Sequence, residues 1–323
     1  MPGILFPLVY GTKYSVESIP DLSGKVIIVT GGNNGIGFAT SIHLVRAGAK
    51  VYMGSRNANK AAEAIKKIKA MNFKGEIIFL KLDLMDFEST RAAAKEFSSK
   101  EDHLDVLFNN AGISGAKEDT VDADGLESTI KTNHFAPFLF THLLLDKLLK
   151  ADEPRIVNTA STLYESFKVS SDSFSSVSVL NQQGTSSLSR YNQSKFANLL
   201  FAMSLAKKQP KIISNACHPG LVSTDMLQNF GSPFGALVSA FVKGLVIFLS
   251  SVLGVVLNPP EGALTQVYLG TAPEVAKKHI SGEYYTPIAN QTKKTKDATE
   301  ANAEKLWKAT EGYFKARNIS LSL

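Results

Sequence analysis

Short apolar runs rich in Val and Ile alternate with helix-like stretches along most of this 323-residue chain. Such runs are typical of strands that are buried on both faces of a sheet. A strand followed by a helix, repeated along the chain, predicts βαβ units and a doubly wound, mostly parallel α/β sheet with helices on both faces. Two of the helix-like stretches are 58–71 and 87–99. We place seven strands in the segments 25–30, 50–53, 76–80, 104–108, 155–158, 211–215 and 284–287.

The composition is that of an ordinary folded chain, with 44% hydrophobic residues, 20% charged residues and a mean hydropathy of zero. No repeat of fixed length is present, so we predict a single α/β domain at 23–290. A segment 1–22 precedes it, and we expect 291–323 to form a helical tail. The Ser-rich stretch 165–190 interrupts the strand and helix rhythm and predicts an insertion loop on the surface.

The charge and the cysteine content limit the partners and metals that we expect this chain to bind. The net charge of +6 comes from scattered residues, with no basic run interleaved with aromatics, so we expect no nucleic acid. The single cysteine, Cys217, cannot form an intramolecular disulfide and leaves no thiolate cluster, so we predict no metal site. The single cysteine indicates a reducing compartment, and we expect a cytoplasmic protein.

A glycine-rich segment, Thr-Gly-Gly-Asn-Asn-Gly-Ile-Gly at 30–37, lies between the first strand and a helix-like run at 38–47. Glycines there let the backbone turn tightly and approach a pyrophosphate, which then sits at the positive end of the helix. The alternative is a strand-to-helix turn without a ligand. The segment predicts a dinucleotide site built from Gly31, Asn33, Asn34, Gly35, Ile36 and Gly37.

The second strand ends at Gly54-Ser55-Arg56-Asn57, where no acid is available to hold a ribose 2′-hydroxyl. Arg56 is the first charge after that strand, and a guanidinium suits a 2′-phosphate. We therefore expect Ser55 and Arg56 to select NADP(H). A solvated surface arginine is the alternative.

Tyr191 and Lys195 lie four residues apart at the start of an apolar helical run, so they share one helix face. A nearby ammonium stabilises phenolate, so we expect the pKa of Tyr191 to fall from about 10 toward neutrality. Tyr191 would then act as a general acid and base. Taken alone, this spacing is common by chance and favours a pair on a surface helix.

Further motifs follow the later strands. They are Asn109-Asn110-Ala111-Gly112, Ser161, and His218-Pro219-Gly220. With the glycine segment, Tyr191 and Lys195, they occur in an order that resembles the short-chain dehydrogenase/reductase family over about residues 23–287. The long stretch between Ser161 and Tyr191 is similar to the retinol-dehydrogenase-like and WW-domain-oxidoreductase-like branch. Its fungal members often begin like Ile19-Pro-Asp-Leu-Ser-Gly-Lys25.

The resemblance implies a Rossmann-type fold and a set of site roles. Tyr191 would give a proton to a substrate carbonyl while nicotinamide delivers hydride, Ser161 would orient the carbonyl, and Lys195 would also bind the nicotinamide ribose. Asn133 would support a water relay to Lys195. The chain has Ala160-Ser161 where the family often has Ser-Ser, so Thr159 and Thr162 are alternatives to Ser161. The cofactor contacts that the resemblance adds are Asp83, Leu84, Asn110, Ala111, Gly112, Tyr191, Lys195, Pro219, Gly220, Val222 and Thr224.

Structural roles are alternatives for several of these residues. Asp83 could cap the next helix, and Asn109 and Asn110 could stabilise a strand-end turn. Cys217 is expected to be a small core residue, since no base lies beside it in sequence. His218 could contact the cofactor or pack.

The stretch 234–257 is almost wholly apolar and long enough to cross a bilayer. We expect it to belong to a substrate lid at 226–260, because a membrane span there would separate the last helix and strand from the sheet. The lid, with the apolar patch at 4–9, could instead rest on a lipid surface. We therefore expect a cytoplasmic protein or one on the surface of an intracellular membrane or lipid droplet.

These observations predict an NADPH-dependent carbonyl reductase or alcohol dehydrogenase for an apolar carbonyl or secondary alcohol. The alternative is a non-catalytic NADP(H)-binding regulatory or membrane-surface protein. The resemblance also implies a homodimer paired through the helices that carry Asn133 and Tyr191.

Overall fold

A computed structural model describes residues 14–114, 121–223 and 256–321. Within these ranges, eight strands form one sheet in the order β3-β2-β1-β4-β5-β6-β7-β8. All neighbours are parallel except β7 and β8, which are antiparallel. The strands are β1 Val26–Thr30, β2 Lys50–Ser55, β3 Glu76–Lys81, β4 Val106–Asn109, β5 Arg155–Thr159, β6 Ile213–Cys217, β7 Tyr284–Thr286 and β8 Asn290–Gln291.

The mostly parallel α/β sheet is confirmed, with one strand more than predicted. The extra strand, β8, has two residues and pairs Asn290 with Thr286. A pair so short has no apolar alternation, which is why the sequence gives no signal for it.

Helices connect the strands, and most begin at a side-chain cap. Asn34, Asn57 and Asp86 each accept a backbone N–H at the start of the helices after β1, β2 and β3. The helices are α1 Gly35–Arg46, α2 Ala58–Lys69, α3 Phe87–Lys100, α4 Ser128–Ile130, α5 Ala136–Leu143, α6 Leu145–Leu148, α7 Val177–Asn181, α8 Ser187–Lys208, α9 Pro259–Thr271, α10 Pro273–Lys277 and α11 Glu300–Lys315. Between α4 and α5, Lys131–Phe135 forms a π-helical turn.

The sheet separates two apolar layers. Along β1, Ile27 and Val29 face the layer that contains α1, α2 and α9, and Val26 and Ile28 face the layer that contains α3, α5, α8 and α11. This alternation buries β1 on both faces, as its unbroken apolar sequence predicts. The order of the strands reverses between β1 and β4, and the crevice at their carboxyl ends is where doubly wound sheets bind ligands.

The prediction of a surface loop at 165–190 is wrong in part. The stretch contains α7 and the first turn of α8, and Phe174 and Leu180 in it are fully buried. The side chain of Asn181 also receives a hydrogen bond from Glu127 N at 3.0 Å. Five buried residues, Ser173, Phe174, Leu180, Asn181 and Arg190, hold this insertion on the core, although they are too few and too irregularly spaced to give a periodic signal.

The C-terminal helix α11 packs against α8. Its Trp307 lies 4.9 Å from Phe138 of α5 between ring centroids, and Phe314 stacks on the same ring. The outer face of α5 and α8 is therefore covered by the chain's own helix.

Among the described residues, no helix is long and apolar enough to cross a membrane. The predicted lid at 226–260 and the apolar stretch 234–257 fall mostly outside the described residues, as does the patch at 4–9. At the end of the stretch, Leu257 is buried and pairs with Val222.

Candidate active site

The glycine segment after β1 has a backbone conformation that residues other than glycine rarely adopt. Gly31 and Gly35 have φ values of +67° and +53°, in the left-handed region that favours glycine. A Cβ on Gly37 would lie 2.3 Å from the Gly31 carbonyl oxygen and 2.5 Å from Asn110 Nδ2. The segment therefore lies closely over the strand ends and leaves the first turn of α1 open toward the crevice, as a bound pyrophosphate requires.

Thr30 fastens the loop after β4 to this segment. Its hydroxyl accepts hydrogen bonds from Asn110 N and Ala111 N, both at 3.0 Å, and its carbonyl accepts one from Asn110 Nδ2 at 2.8 Å. Asn109 is buried and donates to Asn158 Oδ1 at 3.0 Å. Asn109 thus has the structural role, whereas Asn110 also borders the crevice.

Arg56 is exposed at the end of β2, and its carbonyl accepts a hydrogen bond from Lys81. Asn57 caps α2 by accepting from Lys60 N at 3.0 Å, which places Lys60 one turn from Arg56 on the crevice wall. Asp83 also borders the crevice and does not cap α3, because the cap is Asp86. Asp83 instead accepts from Met85 N at 3.0 Å and closes a turn.

Tyr191 and Lys195 are both buried on the first turns of α8, 8% and 3% exposed. Lys195 Nζ donates to the Thr159 carbonyl oxygen at 2.8 Å and lies 5.7 Å from the centroid of the Tyr191 ring. A Cβ on Gly112 would come within 3.0 Å of the same Nζ. The absence of a side chain at Gly112 therefore leaves the ammonium open to the crevice.

The expected fall in the pKa of Tyr191 is contradicted. Burial raises the pKa of Tyr191 to about 12, and the Ser161 hydroxyl opposes that rise only in part. Burial also lowers the pKa of Lys195 to about 8. Desolvation disfavours the charged form of each group, and it is the largest cause of both pKa shifts.

Ser161 follows β5, and its hydroxyl is the one that interacts with the Tyr191 side chain. The hydroxyls of the two alternatives are used elsewhere: Thr159 donates to Gln266 Oε1 at 2.9 Å, and Thr162 lies 3.4 Å from His218 Nε2. The geometry therefore favours Ser161. Burial, and then the charge of Lys195, lower the pKa of His218 to about 4, so its imidazole is neutral beside the crevice.

Asn133 lies behind the crevice wall, on the π-helical turn. Its side chain accepts from Ile113 N at 2.8 Å and donates to Ile113 O at 3.0 Å. It also donates to Ser194 Oγ at 2.9 Å. Asn133 thus ties the loop after β4 to the helix that carries Tyr191 and Lys195.

One cavity of about 910 Å³ joins these elements. All predicted site residues in the described ranges line it except Asn133, and Thr224 lies outside those ranges. Sequence reasoning missed Lys60 and the apolar rim formed by Leu163 and Leu221. Lys60 lies in the first turn of the helix after β2, and the start of that helix is at the carboxyl end of the sheet, so its position was a usable signal. The predicted lining residues are Gly31, Asn33, Asn34, Gly35, Ile36, Gly37, Ser55, Arg56, Asp83, Leu84, Asn110, Ala111, Gly112, Ser161, Tyr191, Lys195, Pro219, Gly220 and Val222.

The doubly wound sheet and the polar groups at its crevice define an α/β oxidoreductase with a glycine-loop cleft. Residues 25–170 match the family model described as short chain dehydrogenase. An uncharacterized oxidoreductase of Schizosaccharomyces pombe is 37% identical to the chain over 94% of this chain and 88% of its own length. Retinol dehydrogenase 14 of Homo sapiens is 33% identical over 90% of this chain and 86% of its own. The chain belongs to the short-chain dehydrogenase/reductase family.

A solved structure supports the same fold. The blue fluorescent protein from a metagenomic library, in complex with NADPH, superposes with a TM-score of 0.60. It is 27% identical, and the match covers 83% of this chain and 98% of that one.

Proposed function

We propose that the protein is an NADPH-dependent carbonyl reductase or alcohol dehydrogenase that acts on an apolar carbonyl or secondary alcohol. One observation carries the proposal: Ser161, Tyr191 and Lys195 meet at one end of the cavity whose other end is lined by Arg56 and Lys60. A proton donor and a site for a phosphorylated nucleotide thus share a single cleft.

The residues present fit a nicotinamide dinucleotide. A Cβ on Gly37 would overlap the Gly31 carbonyl oxygen, so this tight turn requires glycine there, and the first turn of α1 offers backbone N–H groups to a phosphate. Asp83 and Asn110 would border the adenosine, and Pro219 and Gly220 the nicotinamide. When bound, the reduced nicotinamide supplies hydride to the carbonyl carbon of the substrate.

Tyr191 supplies the proton in this proposal. With its pKa raised to about 12, the Tyr191 phenol is protonated at neutral pH, which suits a proton donor and therefore the direction of reduction. Ser161 orients the carbonyl oxygen toward that phenol. The Lys195 ammonium, charged below a pKa of about 8, stabilises the negative charge that develops on the Tyr191 oxygen.

The preference for NADPH rests on charge at the adenosine end. Arg56, Lys60 and Lys67 line the cleft there, and segment 54–57 contains no carboxylate. Glu63 and Asp83 line the same end, so three cations and two acids face the cleft there. The NADPH complex of the metagenomic relative agrees with this preference.

An apolar substrate is supported by the rim near Ser161. Leu163 and Leu221 are 39% and 44% exposed, although large apolar side chains are usually buried. Covering them would stabilise a bound apolar molecule. The retinol dehydrogenase name of the human relative is compatible with such a substrate.

The test is NADPH oxidation by the purified full chain across aliphatic, aromatic and isoprenoid ketones and aldehydes. We expect Tyr191→Phe to keep NADPH affinity and to lose at least about a hundredfold in turnover. Tyr313→Phe is the matched control, because that hydroxyl bonds the Asp124 carbonyl away from the cleft. Tight NADPH binding without oxidation by any carbonyl would favour the non-catalytic alternative.

A further inference from the structure

Two glycines let helix α9 pack closely against the loop after β6 and against β4. A Cβ on Gly262 would lie 2.5 Å from Val222 Cγ2, and one on Gly270 would lie 2.3 Å from the Phe108 ring. Gln266 lies four residues from each, so the three form one row along the helix. This row places a fully buried amide between the glycine contacts.

The Gln266 amide bonds three different elements. Its Oε1 accepts from Thr159 Oγ1 at 2.9 Å. Its Nε2 donates to Thr40 Oγ1 of α1 and to Asn110 Oδ1 at 3.3 Å. A single side chain thus contacts the helix after the glycine segment, the loop after β4 and the end of β5.

The direction of these bonds is fixed by the partners. The Thr40 hydroxyl already donates to Ile36 O at 2.8 Å, and Asn110 uses its Nδ2 on Thr30, so both present acceptors to Gln266. The amide nitrogen of Gln266 must face them, and its oxygen must face Thr159. Turning the amide over would leave buried donors and acceptors unpaired.

Each residue that bonds Gln266 also contacts or forms a part of the proposed site. Thr159 offers its carbonyl to Lys195 Nζ at 2.8 Å. Thr40 lies on the first turns of α1, and Asn110 borders the cleft. The end of α9 that precedes Gln266 meets Val222, which also lines the cleft.

We propose that Gln266 is a positioning residue that sets both the nucleotide loop, through Thr40 and Asn110, and the Lys195 ammonium, through Thr159. This proposal rests on the proposed function only for the Lys195 part. Removing the Gln266 amide loosens both the first turn of α1 and the end of β5. A single substitution at Gln266 therefore changes both the affinity for the nucleotide and the titration of Lys195.

The test compares Gln266→Met, which keeps the length of the side chain and removes its hydrogen bonds, with Thr271→Val. Thr271 is buried on the same helix and bonds Tyr14 and Val267, far along α9 from the cleft. We expect Gln266→Met to raise the Kd for NADPH by about tenfold, the effect of one or two lost hydrogen bonds, and to shift the pH profile of kcat/KM. Thr271→Val lowers the thermal midpoint but leaves the Kd and the profile unchanged.

Variants of two residues that bond Gln266 separate its effect on NADPH binding from its effect on Lys195. Thr40→Val should reproduce the loss of NADPH affinity, and Thr159→Val should reproduce the shifted pH profile. Combined with Gln266→Met, each should add little, because the bond is already lost. Additive effects in both double variants, or an NADPH Kd for Gln266→Met equal to that of Thr271→Val, would overturn the proposal.

The NADPH Kd can be measured whether or not the protein turns over a substrate. A wild-type chain that binds NADPH but reduces no carbonyl contradicts the proposed function alone. In that case an unchanged Kd in Gln266→Met still overturns the positioning role, and a tenfold rise still supports it.

Discussion

Lys195 donates its hydrogen bond to the carbonyl oxygen of Thr159, at 2.8 Å, and so reaches the cleft as a cation held by the end of β5. The same carbonyl also accepts from Asn198 Nδ2 at 3.1 Å. The ammonium is thus fixed in position by a neutral group, and burial lowers its pKa to about 8. This arrangement explains why burial dominates the pKa of Lys195.

The first prediction concerns pH. With a pKa of about 8, Lys195 is mostly charged at pH 7 and mostly neutral at pH 9. Because the charged form stabilises the oxygen of Tyr191 as it loses its proton, we expect kcat for carbonyl reduction to fall as pH rises through about 8. Tyr191 itself, with a pKa of about 12, adds no change in this window.

Steady-state rates between pH 6 and pH 10 at saturating NADPH and substrate provide the measurement. Lys195→Arg is the control, since a guanidinium keeps its charge over that range and should remove the falling limb from any remaining activity. A rate that rises with pH in the direction of reduction would contradict this role for Lys195.

The second prediction concerns the glycine cradle. A methyl group at Gly37 would overlap the Gly31 carbonyl, so we expect Gly37→Ala to displace the loop, to destabilise the fold by about 1–3 kcal/mol and to raise the NADPH Kd more than tenfold. Gly312→Ala is the matched control, because nothing lies within 4 Å of the position of its Cβ on α11. It should stabilise the chain by about 0.5–1 kcal/mol and leave NADPH binding unchanged. Urea unfolding and nucleotide titration measure both.

The third prediction concerns the choice of nucleotide. Arg56→Asp places a carboxylate where NAD-dependent enzymes carry one, so we expect weaker NADPH binding, by roughly tenfold or more, and a relative gain for NADH. Lys60→Gln should weaken NADPH binding by a smaller factor and leave NADH unaffected. Lys69→Gln, near the end of α2 and away from the lining residues, is the charge-matched control. Equal changes for both nucleotides would remove Arg56 and Lys60 from the phosphate site.

Much of this fold is predictable from the sequence because its signals are local. The glycine segment and the spacing of Tyr191 and Lys195 each lie within a few residues, so the pattern itself specifies the geometry. The strands were placed for the same reason, since each is a continuous apolar run.

The features that escaped prediction depend on contacts between distant parts of the chain. Gln266 meets Thr40, Asn110 and Thr159 from 226, 156 and 107 residues away, and no local pattern marks it as polar core rather than helix surface. The predicted pKa shift of Tyr191 was wrong for a related reason. Burial of Tyr191 under neighbouring elements decides the direction of the shift, and burial is a property of the assembled fold.

The last prediction concerns the C-terminal helix. Trp307 is 4% exposed, packs edge-on against Phe138 and lies beside His142, so Trp307→Ala should cost about 3–5 kcal/mol of unfolding free energy. Lys308→Ala, at the next position and 72% exposed, should change stability by less than about 0.5 kcal/mol. Because Trp307 is the only tryptophan in the chain, unfolding is followed by circular dichroism rather than by fluorescence.

The same helix bears on oligomeric state. Since α11 covers α5 and α8, we also expect sedimentation to show that the folded chain does not pair through these helices. A dimer that dissociates on substitution of Leu188 or Lys207, which are exposed on α8, would show that α11 leaves that face free.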